Sequence, residues 1–424
     1  MTDPAQAGQT SNGETIVGLP VRLFNAFTNL MNSIGTLWVF GMMFIICADI
    51  ASRNFFNHPL NGVPEIIAFS IAGTIYLQLA NTLHAGRFTR AELLIEWLEV
   101  KRPLAGRCFN AVFNLFGIIV FIIMVQGFWG EFSDAWVENE IAGVPGVVTF
   151  IVWPFYLILL IGAAATGIEF LLRFLRECVG TSSALKTARE GDGQIKHGYG
   201  WLIALAGFAI IIYLMTSAEL TNAQIGGLSI LCMLILIYAG MPIGIALIVL
   251  GFCGIWMMKG NTIIAERMLP QAGAEYMKNY FFGVVPLFVL MGLLVSAADV
   301  GKETFQVARW ALRRVRGGLG IATVAANAVF AAITGSSIAS AAVFTRVATP
   351  EMMSHGYTAR FSVGVVAGSS VLGMLIPPSL LFIVYAFIAE QSVGVLFIAA
   401  VIPVSYTHLR AHETDSYLVC RLLL

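Results

Sequence analysis

The chain has 424 residues, of which 58% are hydrophobic and 11% are charged, and its mean hydropathy is +0.83. A soluble domain cannot cover that much apolar surface, so the composition predicts an integral membrane protein. Lys plus Arg and Asp plus Glu each number 24, and this balance gives no sign of a nucleic-acid partner.

Eight apolar runs are candidates for membrane spans, since crossing roughly 30 Å of hydrocarbon takes about 20 residues. They are Phe27–Asp49, Pro64–Ala85, Asn110–Gly130, Thr149–Leu172, Trp201–Thr216, Gln224–Ala239, Ile243–Met258 and Phe281–Ala298. Basic residues concentrate in three alternate loops, around Arg87, Arg189 and Arg314, whereas the loop from Glu131 to Gly146 has neither Lys nor Arg. By the positive-inside rule, the basic loops and the N-terminus are predicted to face the cytoplasm.

The spans and the hydrophilic tracts between them divide the chain into modules. The predicted order is a polar tail at residues 1–23, a four-span module at 24–178, a cytoplasmic linker at 179–200, a fusion helix at 201–218 and a second membrane module at 219–403. The fusion helix is expected because four spans return the chain to the cytoplasm. The polar tail lacks the basic start and short apolar core of a signal peptide.

Residues 87–103 differ from the spans because apolar and charged positions alternate in them with helical spacing. Leu93, Leu94, Trp97 and Leu98 are predicted to lie on one face, with the charged side chains on the other. This pattern predicts an amphipathic helix that lies in the membrane interface and does not cross it.

The sequence GSSIAS, residues 335–340, interrupts the second module with a glycine and three hydroxyl groups. Arg346 follows closely, and a charge at mid-bilayer is costly. We therefore expect the chain to reverse at GSS as a re-entrant hairpin, which is tolerated only where protein or water covers it. The alternative is ordinary small-residue helix packing through Gly335 and Ala339.

The sequence GMLIPPS, residues 373–379, provides a second interruption. Proline lacks the N–H and clashes with the preceding turn, so a helix cannot continue through Pro377 and Pro378. The carbonyls freed around Gly373–Ile376 need a protein group, a water molecule or a cation as partner. A purely structural kink is the alternative. Hydroxyls from one interruption and carbonyls from the other would supply the hard oxygen ligands of a sodium site in a secondary transporter.

Enzyme motifs are missing from the sequence. It contains no GxxxxGK[ST], no HExxH and no CxxC, and no pair of nucleophile and base is recognisable. We therefore predict that the chain is not an enzyme and that it has no resident cofactor or metal other than a coupling sodium ion.

The run TPEMMSHGYTARFSVGVVAGSSVLGMLIPPS, preceded by AAITGSS, resembles the large membrane subunit of the tripartite ATP-independent periplasmic (TRAP) transporters. Residues 24–178 resemble the small subunit, through FFNHPLNGVPEII and HAGRFTRAELL. The resemblance implies a fused protein of all-α, polytopic membrane fold. It would consist of a four-helix small module and, at 219–403, the first repeat of an elevator-type transporter with a re-entrant helical hairpin.

The resemblance also implies a function, which is sodium-coupled import of a small organic anion, often a carboxylate such as a dicarboxylate. The anion would come from a periplasmic solute-binding protein and cross the bacterial inner membrane. Ser336, Ser337 and the carbonyls of Gly373, Ile376 and Pro378 are then expected to line the sodium site. Residues expected in its vicinity are Gly335, Ser340, Pro377 and Ser379.

The sequence departs from the family's pattern after residue 403, where a second, inverted repeat is expected. Residues 404–424 are abruptly polar, and we expect them to be the non-native tail of a truncated gene product. Two other functions stay open, namely a stand-alone sodium/anion symporter without a binding protein and a membrane scaffold that does not transport. The four-span module argues against the symporter. The sequence does not identify the substrate.

Overall fold

The computed structural model describes residues 19–91, 93–101, 103–144, 148–190, 221–275, 278, 280–315, 317–335 and 337–400. Ser336, the predicted fusion helix at 201–218, the segment 404–424 and most of the polar tail at 1–23 lie outside these residues. The chain divides into two compact units, Met1–Asn279 and Tyr280–Leu424. Helices dominate both units, which confirms the predicted all-α, polytopic class.

The first unit is built from long apolar helices. Its first five helices are α1 (Leu19–Phe55), α2 (Val63–His84), α3 (Leu93–Lys101), α4 (Pro103–Val137) and α5 (Trp153–Glu190). All except α3 contain a stretch that is long and apolar enough to cross a membrane, as predicted for the first four spans. Helix α5 continues into the segment that was predicted to be a linker.

A short β-hairpin that the sequence analysis missed connects α4 to α5. Strands β1 (Ile141–Val144) and β2 (Val148–Ile151) are antiparallel, with Ile141 opposite Ile151. The predicted start of the fourth span at Thr149 is therefore wrong, because Thr149 lies in β2 and helix α5 begins at Trp153.

Glycines allow the long helices of the first unit to approach each other closely. A Cβ on Gly162 of α5 would lie 2.4 Å from the carbonyl oxygen of Tyr76 on α2. Around this contact the rings of Tyr76 and Phe128 pack edge to face at 5.4 Å, and Leu159 is fully buried. Small residues at helix crossings favour such packing in membranes, where apolar burial between helices provides little driving force.

Helix α3 forms inside the predicted interfacial segment 87–103, and the protein buries a residue of it that the sequence analysis did not single out. Ile95 is fully buried, and Trp97 is 50% exposed. The cause is a contact from elsewhere in the chain, since a Cβ on Gly240 would lie 3.0 Å from Cβ of Ile95. The burial of Ile95 was therefore not part of the predicted pattern, whereas the interfacial placement of the apolar face that carries Trp97 stays a prediction.

Three further helices belong to the described part of the first unit, namely α6 (Asn222–Tyr238), α7 (Ile243–Lys259) and α8 (Thr262–Glu275). Helices α6 and α7 have 17 residues each, and a 17-residue helix is about 25 Å long. Helix α8 packs against α4, where Pro270 lies next to Gly127. For this reason the first compact unit extends beyond residue 219, the predicted start of the second module.

The second unit starts with a 3₁₀ turn at Tyr280–Gly283 and contains seven helices with named bounds. They are α9 (Val284–Ala297), α10 (Val300–Leu312), α11 (Gly318–Thr334), α12 (Ser337–Ser354), α13 (Ala359–Ser370), α14 (Leu372–Leu375) and α15 (Leu380–Ile388). Residues 393–400 are also helical. Helices α9 and α10 meet at an angle of 64°, and the buried rings of Phe305, Phe330 and Phe344 form the core of this unit.

Candidate functional site

Helices α11 and α12 form the predicted hairpin. The rings of Phe330 and Phe344 lie 5.7 Å apart, whereas 14 positions along a straight helix would separate them by about 21 Å. Farther from the turn, the hydroxyl of Thr323 donates to the sulfur of Met352 at 3.4 Å. Both pairs are centred near residue 337, so the helices run antiparallel. The predicted chain reversal at GSS is confirmed.

Gly335 makes the reversal possible. It ends α11 in the left-handed conformation, with φ 60°, and its N–H donates to the carbonyl of Ala331 at 2.8 Å. A residue with a Cβ is strained at this φ, whereas glycine is not.

Helices α13, α14 and α15 form the predicted broken helix. The hydroxyl of Thr358 caps the start of α13 by accepting from the N–H of Phe361 at 3.3 Å. The backbone leaves the helical conformation at Ile376, and a new helix begins at Leu380, with a bend of 43° across the break. The break occurs where Pro377 predicted it, because proline cannot continue the helical hydrogen bonds.

The tip of the hairpin and the broken helix are in contact. A Cβ on Gly373 would lie 2.9 Å from Cβ of Ala331 and 3.1 Å from its carbonyl oxygen. A Cβ on Gly335 would lie 3.6 Å from the backbone nitrogen of Leu380, at the start of α15. The two interruptions found in the sequence therefore meet at one place in the second unit.

The predicted site residues differ in burial. Ser340 and Ser379 are fully buried, Ser337 is half-buried, and Ser336 lies outside the described residues. Among the residues of the break, Gly373 is buried, Ile376 and Pro377 are half-buried and Pro378 is exposed.

The two buried serines donate to the backbone. The hydroxyl of Ser340 donates to the carbonyl of Ser337 at 3.2 Å, and that of Ser379 donates to the carbonyl of Met374 at 2.6 Å. Each hydroxyl oxygen keeps lone pairs that a cation or a water molecule could use.

Two polar residues of α11 that the sequence analysis did not select also belong to this region. Thr334 directly precedes the tip and is 2% exposed, and its hydroxyl has no partner within the described residues. Asn327, fully buried, donates from Nδ2 to Oγ of Ser369 at 2.6 Å and to the carbonyl of Val366 at 3.3 Å. An isolated Asn and Thr in the apolar run GGLGIATVAANAVFAAITG are the signal that could have revealed them.

The buried polar residues in the described part of the second unit are all uncharged. The buried polar residues are Thr323, Asn327, Thr334, Ser340, Thr349, Ser362, Ser369, Ser370 and Ser379. No group of three or more His, Cys, Asp or Glu occurs in the described residues that could hold a metal ion. Neutral oxygens suit a hard cation and do not suit a transition metal.

Comparisons with known proteins identify the two parts of the chain. The profile described as "Tripartite ATP-independent periplasmic transporters, DctQ component" matches residues 42–179, and that of the DctM component matches residues 230–409. The chain belongs to the TRAP transporter family. It combines both membrane components in one polypeptide, and the unmatched residues 180–229 contain the predicted fusion helix.

Curated TRAP permeases are similar over parts of the chain. The large permease DctM for C4-dicarboxylate from Pseudomonas aeruginosa is 40% identical over 129 residues, which is 30% of each chain. The sialic acid permease SiaT from Haemophilus influenzae is 24% identical over 385 residues, 86% of this chain and 58% of SiaT. The isethionate permease DctMQ from Oleidesulfovibrio alaskensis is 30% identical over 169 residues, 39% of this chain and 25% of DctMQ. The chain thus spans less than two thirds of the length of each relative.

Proposed function

We propose that this chain forms the membrane permease of a sodium-coupled importer for a small organic carboxylate. A periplasmic solute-binding protein would deliver the substrate, and the permease would lie in the bacterial inner membrane with its N-terminus in the cytoplasm. The sodium ion would be bound by Ser336, Ser337 and the carbonyls of Gly373, Ile376 and Pro378, where the hairpin meets the broken helix.

The observation that supports this proposal most directly is the contact between the two interruptions, Gly373 against Ala331 and Gly335 next to Leu380. Carbonyls at the end of α11 and around Ile376 lack a continuing helix, and the neighbouring hydroxyls are neutral oxygen ligands. Helices α12 and α15 both begin beside this place, so their partly positive N-termini favour an anion there. A cation and an anion could thus bind side by side.

The proposed substrate class and partner come from the relatives. These relatives are named TRAP permeases, and their names include C4-dicarboxylate and sialic acid, which both carry a carboxylate. The match to both membrane components favours a binding-protein-dependent importer over a stand-alone symporter. Arg189 and Arg314 belong to the basic loops that support the cytoplasmic orientation.

Sodium binding is tested on the purified chain by its unfolding temperature in NaCl and in KCl of equal concentration. We expect sodium to stabilise the chain more than potassium does. Replacement Ser337→Ala should raise the sodium concentration needed for half of this effect by about tenfold, because one ligand is lost. The matched control is Ser354→Ala, an exposed serine at the other end of α12, which should leave the effect unchanged. Equal stabilisation by both salts would contradict the proposed sodium site.

Transport is tested separately, in cells that express this protein together with a candidate solute-binding protein. Labelled succinate and sialic acid serve as probes. We expect uptake of one of them only with both sodium and the binding protein present. Uptake without the binding protein would favour the symporter, and no sodium-dependent uptake of any carboxylate would favour the scaffold.

A further inference from the structure

The first unit contains a polar cavity that plays no part in the proposed transport site. Its volume is about 350 Å³, and it lies between the end of α2, the middle of α5, the first turns of α4, the segment 87–103 and the turn before α7. Volumes of about 300–1,000 Å³ are typical of sites for small molecules. The cavity is large enough for a glycerophosphate headgroup but not for a whole phospholipid.

Positive charge exceeds negative charge in the wall of this cavity. Arg90, Arg173 and Arg176 line it, together with Glu99 and Glu177, which leaves a surplus of one positive charge. Glu99 accepts a hydrogen bond from the side-chain amide of Asn110 on α4, and Glu177 lies within electrostatic range of Arg90, Arg107 and Arg173.

Arg173 is already held by the protein. It donates to the carbonyls of Leu83 and of His84, the latter at 3.3 Å, and its Nε lies 3.5 Å from the buried carboxylate of Glu169. These contacts satisfy carbonyls at the end of α2, which have no partner inside the helix. Arg173 is thereby fixed in the cavity wall as a rigid donor.

Arg176 and Asn114 provide donors that the rest of the described chain does not use. Arg176 follows Arg173 by one turn on the same helix face and makes no hydrogen bond or ion pair within the described residues. The side-chain amide of Asn114 has no hydrogen bond there either. The positive charges of Arg173 and Arg176 repel each other, and an anion bound between them would remove this repulsion.

We propose that this cavity binds a phosphate group, with Arg176 and Asn114 as its main ligands and Arg173 as their fixed neighbour. Arginine suits phosphate because its planar fork can donate two parallel hydrogen bonds to the phosphate oxygens.

The position of the cavity favours the headgroup of an anionic phospholipid as the source of this phosphate. The cavity lies on the side of the basic loops, where the positive-inside rule places the cytoplasm and anionic headgroups attract arginine. Phe88, Phe113 and Phe170 add an apolar wall beside the arginines, suited to the glycerol and the first carbons of an acyl chain.

The experiment measures binding to the full chain in a phosphate-free detergent, by unfolding temperature and by native mass spectrometry. The probes are dioctanoyl phosphatidylglycerol, dioctanoylglycerol without a phosphate, and inorganic phosphate at equal ionic strength. We expect saturable binding of the phosphatidylglycerol and none of the dioctanoylglycerol. Saturation by inorganic phosphate alone would also support the phosphate site and would identify a soluble ligand as its source.

The variant Arg176→Gln should weaken binding by about tenfold, the change expected when one charged hydrogen-bond donor is lost. Asn114→Leu should weaken it independently. The matched control is Arg87→Gln, which removes one charge between the cavity residues Gly86 and Phe88 but does not itself line the cavity. Equal weakening by Arg87→Gln and Arg176→Gln would show diffuse attraction and overturn the site. Equal binding of both lipids, or no binding of any probe, would overturn it as well.

Discussion

Replacement of Gly373 by alanine tests whether the contact between the hairpin and the broken helix is as tight as the structure indicates. The new Cβ would lie 2.9 Å from Cβ of Ala331, 3.1 Å from its carbonyl oxygen and 3.3 Å from its Cα. Two of these atoms belong to the backbone of α11, which cannot rotate away as a flexible side chain would. Helix α14 therefore has to move away from α11.

The expected cost is about 1–3 kcal/mol of unfolding free energy, the usual range for overpacking in a well-packed core. Gly368→Ala is the matched control, since it lies nearby on α13 and its Cβ would meet no atom within 4 Å. Because alanine favours the helix more than glycine does, the control should be neutral or stabilising by up to about 1 kcal/mol. The two substitutions should thus have opposite signs.

The assay is hydrogen exchange of the chain in detergent, followed by mass spectrometry of peptides from α11 and α14. Gly373→Ala should speed exchange in both helices, and Gly368→Ala in neither. Adding Ala331→Gly removes the nearest atom, so it should restore part of the protection in a double-mutant cycle. Unchanged exchange in Gly373→Ala, or loss of protection in α14 alone, would refute the inference that these helices are in direct contact.

Three further predictions address the tip, the buried amide and the orientation. Gly335→Ala and Gly356→Ala both place a side chain at positive φ, 60° and 86°, and each should lower the unfolding free energy by about 1–2 kcal/mol. Only Gly335→Ala should also raise the sodium concentration required for stabilisation, measured by unfolding temperature. Asn327→Leu should lower the unfolding free energy by about 1–3 kcal/mol, because it removes two buried hydrogen bonds to α13, one of them to Oγ of Ser369. An unchanged value in a denaturant titration would contradict this role. In a cysteine-free background, a cysteine at Glu138 should react with an impermeant maleimide added to sealed cells and one at Arg314 should not, whereas the reverse pattern would overturn the proposed orientation.

The features predicted from the sequence share a local cause. A run of about 20 apolar residues specifies a long helix by its own composition. Pro377 ends a helix wherever it stands, because its ring and its missing N–H act on the preceding turn. Gly335 allows a left-handed residue without help from its surroundings. For these reasons the first four long helices, the broken helix and the reversal at GSS could be predicted.

The features that the sequence did not reveal depend on contacts between distant residues. Ile95 is buried because Gly240 packs on it, and no pattern within residues 87–103 could indicate this contact. Asn327 and Ser369 lie 42 positions apart and meet only because the hairpin packs against α13. The sequence shows only that each of them is a polar residue in an apolar run. That they pair with each other is seen only in the folded structure.

The absence of buried acids from the described part of the second unit has a consequence for coupling under the proposed function. Without a carboxylate, neutral oxygens such as those of Ser340 and Ser379 solvate a sodium ion but do not neutralise its charge. The anionic substrate is then the available counter-charge, held at the beginnings of α12 and α15. Each ion therefore lowers the cost of placing the other at mid-membrane, and by linkage the two affinities rise by the same factor. A permanent acid in the site would retain sodium without substrate and weaken this mutual dependence, so a site of neutral oxygens is the arrangement that favours tight coupling.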